Sequence, residues 1–136
     1  WKKNRFGHDD FAAMNILCMS AAYSPDPTNP DFPAHLPVNT VTGEVDFEVF
    51  QSWSEHDPLN LIDSSKSQAS LNALQLLFID AGDRDEYLLH LGARRFVEKL
   101  KTYGIEHVYE EFSGGHRGTA YRYDRSIPLL AEALSS

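Results

Sequence analysis

The sequence is poor in cysteine, in positive charge and in long apolar runs. Its single cysteine, Cys18, has no intramolecular disulfide partner, so no covalent framework carries the fold. A chain without disulfides suits a reducing compartment, and the cytoplasm is the expected location. Cys18 itself, within residues 14–19, reads as a buried small hydrophobe. Twelve Lys and Arg against 20 Asp and Glu leave a formal net charge of −8. Such a surface repels nucleic acid and anionic membranes, so neither is an expected partner. No apolar stretch approaches the roughly 18–20 residues that cross a bilayer. The amino-terminal Trp1-Lys2-Lys3-Asn4-Arg5 is not followed by the apolar core of a signal peptide. His8, His35, His56, His90 and His107 show no HxxxH or HExxH spacing. Asp80, Asp83 and Asp85 alternate like the start of a calcium loop, but the later glycine and closing glutamate are missing. No metal and no other cofactor is expected.

What is present is enough for one core. At 136 residues, 42% of them hydrophobic, the chain has the size of one domain, and a single globular unit is expected. It opens on Trp1 and enters at once what reads as the tail of a helix, residues 8–14, leading to a strand at 14–20 that is apolar on both faces. Pro25, Pro27, Pro30, Pro33 and Pro37 make residues 24–42 a long loop, either a lid over a substrate cleft or a plain surface loop. Val45, Val49 and Trp53 at i+4 spacing, with Phe50 beside them, predict a helix over 43–55 with a core-facing stripe. Pro58 ends it by forcing Asp57 out of helical geometry. Residues 64–70 read as loop, with a short helix at 67–72, and residues 75–80 as a strand.

Leu77-Phe78-Ile79-Asp80-Ala81-Gly82-Asp83-Arg84-Asp85 is an apolar run ending in Gly and Asp, and residues 105–112 form a second run ending in Ser113-Gly114-Gly115-His116. Between them, residues 85–104 carry a helical pattern, Leu88, Leu91, Ala93, Phe96, Val97 and Leu100 on one side and Arg94, Arg95, Lys99 and Lys101 on the other. Strand, helix and strand in one unit make the two strands parallel and bring Asp85 and His116 to one edge, where open parallel sheets bind ligands. Ser126 and Pro128 predict a last helix over 126–134. The order is an α/β pattern with three parallel strands, at 14–20, 75–80 and 105–112, the first having an unpaired outer edge.

A carboxylate that holds one ring nitrogen of a histidine makes the other a general base near neutral pH. Asp85 and His116 have the residue types and the placement for it. The plain alternative makes Asp85 the cap of the following helix and His116 a turn residue. Asp80, in the last strand position, would stabilise the turn, and Asp83 would lie on the exposed loop.

These segments resemble the acid and histidine regions of α/β-hydrolase serine esterases. The closest likeness is to the esterase family that includes S-formylglutathione hydrolases, feruloyl esterases and mycolyl transferases. The likeness rests on the Gly82-Asp83-Arg84-Asp85 turn and on Gly114-Gly115-His116, with Trp53 through Asp57-Pro58-Leu59 ahead of them. It implies an ester or thioester hydrolase with Asp85 as triad acid and His116 as triad base, in the order nucleophile, acid, histidine. The sequence departs from the family in having no Gly-x-Ser-x-Gly elbow: Ser20 lacks both glycines, and Ser113 shares the histidine's turn. The resemblance therefore implies the carboxyl-terminal part of one hydrolase domain, inactive alone, with nucleophile and oxyanion hole upstream. Its expected partners are a small-molecule ester and either a second copy or the missing amino-terminal half. Tyr23, Phe32, Trp53 and Tyr121 are candidates to line the pocket. Two readings compete. One is a non-catalytic α/β binding or interaction module. The other is a metal-dependent phosphatase or nuclease using Asp80, Asp83 and Asp85.

Overall fold

The computed structural model describes residues 7–135, with the side chains of His8 and Asp9 outside the description. The reading of the amino-terminal residues 1–5 therefore falls outside it. The chain divides into two compact units, Trp1–Asp57 and Pro58–Ser136. Its secondary structure is mixed, helices flanking a two-stranded parallel sheet. No helix among the described residues is long and apolar enough to cross a membrane.

In the first unit the expected strand at 14–20 is instead part of a helix, α1, spanning His8–Tyr23. The composition explains the correction. Ala12, Ala13, Met14, Leu17, Met19, Ala21 and Ala22 are strong helix formers, and Ile16 is the single β-branched residue among residues 11–22. An apolar run of this length carries no periodicity that separates buried strand from helix. The Asp10 carboxylate accepts the Gly7 N–H at 2.8 Å at the start of α1, and Pro25 follows its end. Cys18 is exposed, not buried, and so are Phe11, Met14 and Leu17.

The proline-rich stretch is loop, as expected, but tied by its own polar side chains. Asp26 accepts from the Thr28 amide and hydroxyl, Asn29 Oδ1 from the Asp31 and Phe32 amides, and Asn39 Oδ1 from the Val41 and Thr42 amides. These Asx turns substitute for a ladder that the prolines cannot join. Isolated antiparallel bridges at Pro25–Ala34 and Val38–Val45 close it. α2, Phe47–Ser54, starts where Asp46 accepts the Glu48 and Val49 amides. Of the stripe read as core, Trp53 is buried, whereas Val45 and Phe50 are exposed. Trp53 Nε1–H donates to Ser24 Oγ at 2.9 Å, and Ser24 Oγ–H donates to the His35 carbonyl at 2.8 Å. This buried relay fastens the loop to α2. Trp53→Phe removes the Nε1 donor and one ring of the buried indole, so a loss of roughly 1–3 kcal/mol is expected from the missing hydrogen bond and the space left behind, read by urea unfolding.

The second unit opens with two short helices, α3 (Pro58–Leu61) and α4 (Ser65–Asn72), the latter capped by Ser64 accepting the Ser67 amide. Pro58 thus begins a helical turn, the position where its missing N–H costs nothing. β1 spans Phe78–Gly82, α5 Leu89–Thr102 and β2 Val108–Phe112. The strands are parallel, in register from Phe78↔Val108 to Gly82↔Phe112. Strand, helix, strand is as read from the sequence, with shorter strands. α5 begins at Leu89, four residues later than Asp85, because Asp85–Leu88 forms its own turn. Leu88 is left-handed there, with φ 59 and ψ 23.

Ile62, Leu100 and Ile105 form the core, with Leu71, Leu77, Ile79 and Phe96 packed around them. On α5 the buried positions are His90, Val97 and Leu100, while Leu88 and Leu91 are exposed. Lys99 is not a solvated charge: its Nζ donates to the Leu59 carbonyl at 2.6 Å and to the Asp63 carboxylate at 2.6 Å. α6 covers Tyr123–Ser135, one turn earlier than the Ser126 cap read from the sequence, with Pro128 inside it. The 3-10 turn Ala120–Arg122 runs straight into it, so the helix is started by that turn. Tyr123, Ile127, Leu130 and Leu134 leave an apolar stripe of α6 exposed.

Arg94 from α5 holds Glu111 of β2 through Nε at 2.8 Å and Nη2, and the Tyr109 hydroxyl donates to the same carboxylate at 2.9 Å. Arg94 first, then Tyr109, pull the Glu111 pKa from the ordinary 4.5 down to about 2. A carboxyl whose folded value lies below its unfolded value stabilises fully above the unfolded value, and the effect fades as pH falls toward the folded one. Glu111→Gln should therefore flatten the loss of stability between about pH 4.5 and about pH 2, measured as denaturant midpoints across that range.

Candidate functional site

The carboxyl ends of the two strands carry the expected residues. β1 ends in Gly82 and continues through Asp83-Arg84-Asp85; β2 ends in Phe112 and continues through Ser113-Gly114-Gly115-His116. Parallel register puts the two loops side by side, and hydrogen bonds join them. The Asp83 amide donates to the Phe112 carbonyl at 2.8 Å, and the Arg84 amide to the Gly114 carbonyl at 2.9 Å. In return the Gly114 amide donates to Asp83 Oδ1 at 3.0 Å. Arg84 Nη2 donates to Ser113 Oγ at 3.0 Å.

Across this junction His116 Nδ1 lies 3.0 Å from Asp85 Oδ2. The acid side chain is buried, 6% exposed, whereas the histidine side chain is 45% exposed. Burial works to raise the Asp85 pKa, but the hydrogen bonds from His116 and from the Tyr87 and Leu89 amides outweigh it and leave the value below ordinary. Asp85 is therefore ionised at neutral pH and can only accept, so His116 Nδ1 carries the proton and Nε2 of the neutral ring is left as acceptor. Asp85 is not the N-cap residue of α5, a position held by Leu88; its carboxylate accepts the amide of Leu89, the first helical residue, and its Oδ1 accepts the Tyr87 amide within the turn, at 2.8 Å.

Two neighbours escaped the sequence reading. Glu86 Oε2 accepts the His116 backbone N–H at 2.8 Å, and the Tyr87 ring meets the imidazole edge to face, centroids 4.9 Å apart. Three consecutive residues, 85–87, thus grip one histidine. Their adjacency to Asp85 was the one available signal, and it does not reveal that a turn aims all three the same way.

The remaining candidates are dispersed. Asp80 is in the middle of β1, not at its end, and pairs with Arg122 Nε at 2.9 Å; Arg122 also binds Glu110 at 2.6 Å and stacks on Phe112. Asp80, Asp83 and Asp85 each serve a different partner, and among the described residues no group of three or more His, Cys, Asp or Glu is arranged to hold a metal ion. Ser20 lies within α1, fully buried, with no partner for Oγ among the described residues. Tyr121 packs edge to face on Phe112, and Tyr23 on Trp53. Phe32 is half-buried in the proline-rich loop.

A cleft of about 490 Å³ opens beside the pair. Phe78, Ala81, Leu89, Ala93 and Phe112 form its apolar wall, and Asp85 and His116 stand at it. Compared with known proteins, the chain matches no family model and no curated sequence.

Proposed function

We propose that this chain supplies the acid and the histidine of a Ser-His-Asp ester or thioester hydrolase of the α/β-hydrolase type, with the serine on sequence upstream. The observation that carries the reading is the 3.0 Å bond from a half-exposed imidazole to a buried, ionised carboxylate across two parallel strand ends. In this reading His116 Nε2 takes the proton of the serine hydroxyl as its oxygen bonds to the substrate carbonyl carbon. The imidazolium, stabilised by Asp85, then returns that proton to the departing alcohol or thiol. Water repeats the sequence on the acyl-enzyme and regenerates the serine.

The apolar wall of the cleft favours a neutral, partly apolar ester, in keeping with a net charge of −8. Parallel sheets are ordinarily covered on both faces. Two strands with the exposed stripe of α6 beside them support a domain that further chain completes. The test is labelling of the full-length gene product with a fluorophosphonate, followed by peptide mapping. An adduct on a serine upstream of residue 1 is the expected result. No adduct, together with no hydrolysis of aryl esters, would overturn the proposal.

A further inference from the structure

Asp85 orients the ring of His116, but a ring is placed only as well as the backbone that carries it. The two residues ahead of it, Gly114 and Gly115, have no side chains to pack and the widest choice of φ and ψ. Gly114 is held by Asp83 and Arg84, and restraint on Gly115 and the His116 backbone reaches them from Glu86. Its carboxylate accepts the His116 N–H at 2.8 Å and lies so close to Gly115 that an added Cβ would be 2.8 Å from Oε1. The His116 amide holds the Glu86 carboxyl below its ordinary range, so it is an ionised acceptor at neutral pH. Hydrogen bonds to an ionised acceptor are roughly twice as strong as neutral ones.

The turn that delivers Glu86 carries a cost. Leu88 is left-handed and 59% exposed, so little burial of its side chain offsets a conformation that costs about 1–2 kcal/mol in a non-glycine residue. Strain of this kind persists where surrounding structure imposes it. Here the turn aims residues 85, 86 and 87 at the same loop.

Resting on the triad reading above, we propose that Glu86 is a positioning residue, fixing the Gly115-His116 backbone so that the imidazole meets Asp85 in one orientation. Asp85 selects the tautomer; Glu86 selects the place. A carboxylate at this point holds the loop without blocking Nε2, because its bond is to the main chain.

NMR on the full-length gene product tests this without substrate. The wild type should show a scalar coupling across the hydrogen bond from His116 N to Glu86 Cδ, and a His116 Nδ1 proton that exchanges slowly with water. Glu86→Ala should abolish the coupling, speed exchange of the His116 amide at least tenfold and lose the Nδ1 proton signal. Glu86→Gln, whose amide oxygen still accepts, should restore most of both signals. In the full-length gene product Glu86→Ala should lower kcat on the order of 10- to 100-fold with little change in KM, the signature of a displaced reacting group. A Glu86→Ala protein that keeps the Nδ1 signal and wild-type amide exchange overturns the proposal. If that variant does not fold, the wild-type coupling decides alone, its absence being fatal and its presence supportive. A full-length protein that hydrolyses no ester while the NMR signature follows Glu86 removes the triad reading and leaves the positioning intact.

Discussion

On the proposed Ser-His-Asp reading, His116→Ala in the full-length gene product should lower ester hydrolysis on the order of 10⁴- to 10⁶-fold, because nucleophile and base act as a unit and removing either leaves the residual contribution of binding and the oxyanion hole. The loss falls on kcat. His116 is half exposed, but its truncation takes a hydrogen bond from the buried Asp85 carboxylate, which keeps the Tyr87 and Leu89 amides, so a stability loss of roughly 1–3 kcal/mol is expected, far short of the loss in rate. Asp85→Asn sharpens the result. The Asn amide can donate to Nδ1 and so favours the tautomer that leaves Nε2 protonated, with an expected loss near 10⁴-fold in an otherwise unchanged fold. Activity that survives both substitutions would leave Asp85 and His116 as a turn device and place the catalytic groups elsewhere, whereas a wild-type protein with no ester hydrolysis would return the chain to the binding-module reading.

The second large effect is structural. Gly82→Ala would place a Cβ 2.5 Å from the Gly114 carbonyl oxygen, 2.8 Å from its carbon and 2.8 Å from the Gly115 oxygen. All three are backbone atoms of the histidine loop, so no flexible side chain can move aside. Relief requires the two loops to separate, breaking the bonds that join residues 83 and 84 to 112 and 114. A destabilisation of roughly 1–3 kcal/mol is expected, the range for overpacking a tight contact, together with loss of the Asp85–His116 bond. Gly92→Ala is the control. Gly92 lies within α5 with open space around an added Cβ, so the substitution should stabilise by roughly 0.5–1 kcal/mol through helix propensity. Urea unfolding of the two variants should move in opposite directions. Equal midpoints would mean that the loops are not in contact at Gly82.

How much of this was legible beforehand differs by element. The pairing of Asp85 with His116 was, because strands of about five residues ending in Gly and a polar residue, separated by one amphipathic helix, admit few arrangements. α2 and the proline-rich loop were legible for similar local reasons, a 3.6-residue period in one and closely spaced prolines in the other. Residues 14–20 were not. An apolar stretch rich in Met, Leu and Ala satisfies a buried strand and a helix equally well by pattern, and helix propensity decided it. The start of α5 was misplaced for a different reason: Asp85 is as suitable for a cap as for a turn, and the choice depends on a histidine 31 residues away.

Within the sequence itself lay the residue types of the site, their order along the chain, the acidic surface and the local preferences that make loop, helix and strand. Those follow from side-chain volume, charge and backbone freedom, which each residue carries wherever it is placed. Tertiary structure alone decided that Glu86 and Tyr87 join Asp85 around one imidazole, that Arg122 takes Asp80 away from the turn, and that Gly82 must be glycine. Each of these is a contact between segments some 30 to 40 residues apart, set by the parallel register of two strands, and distance along a chain carries no record of distance in space.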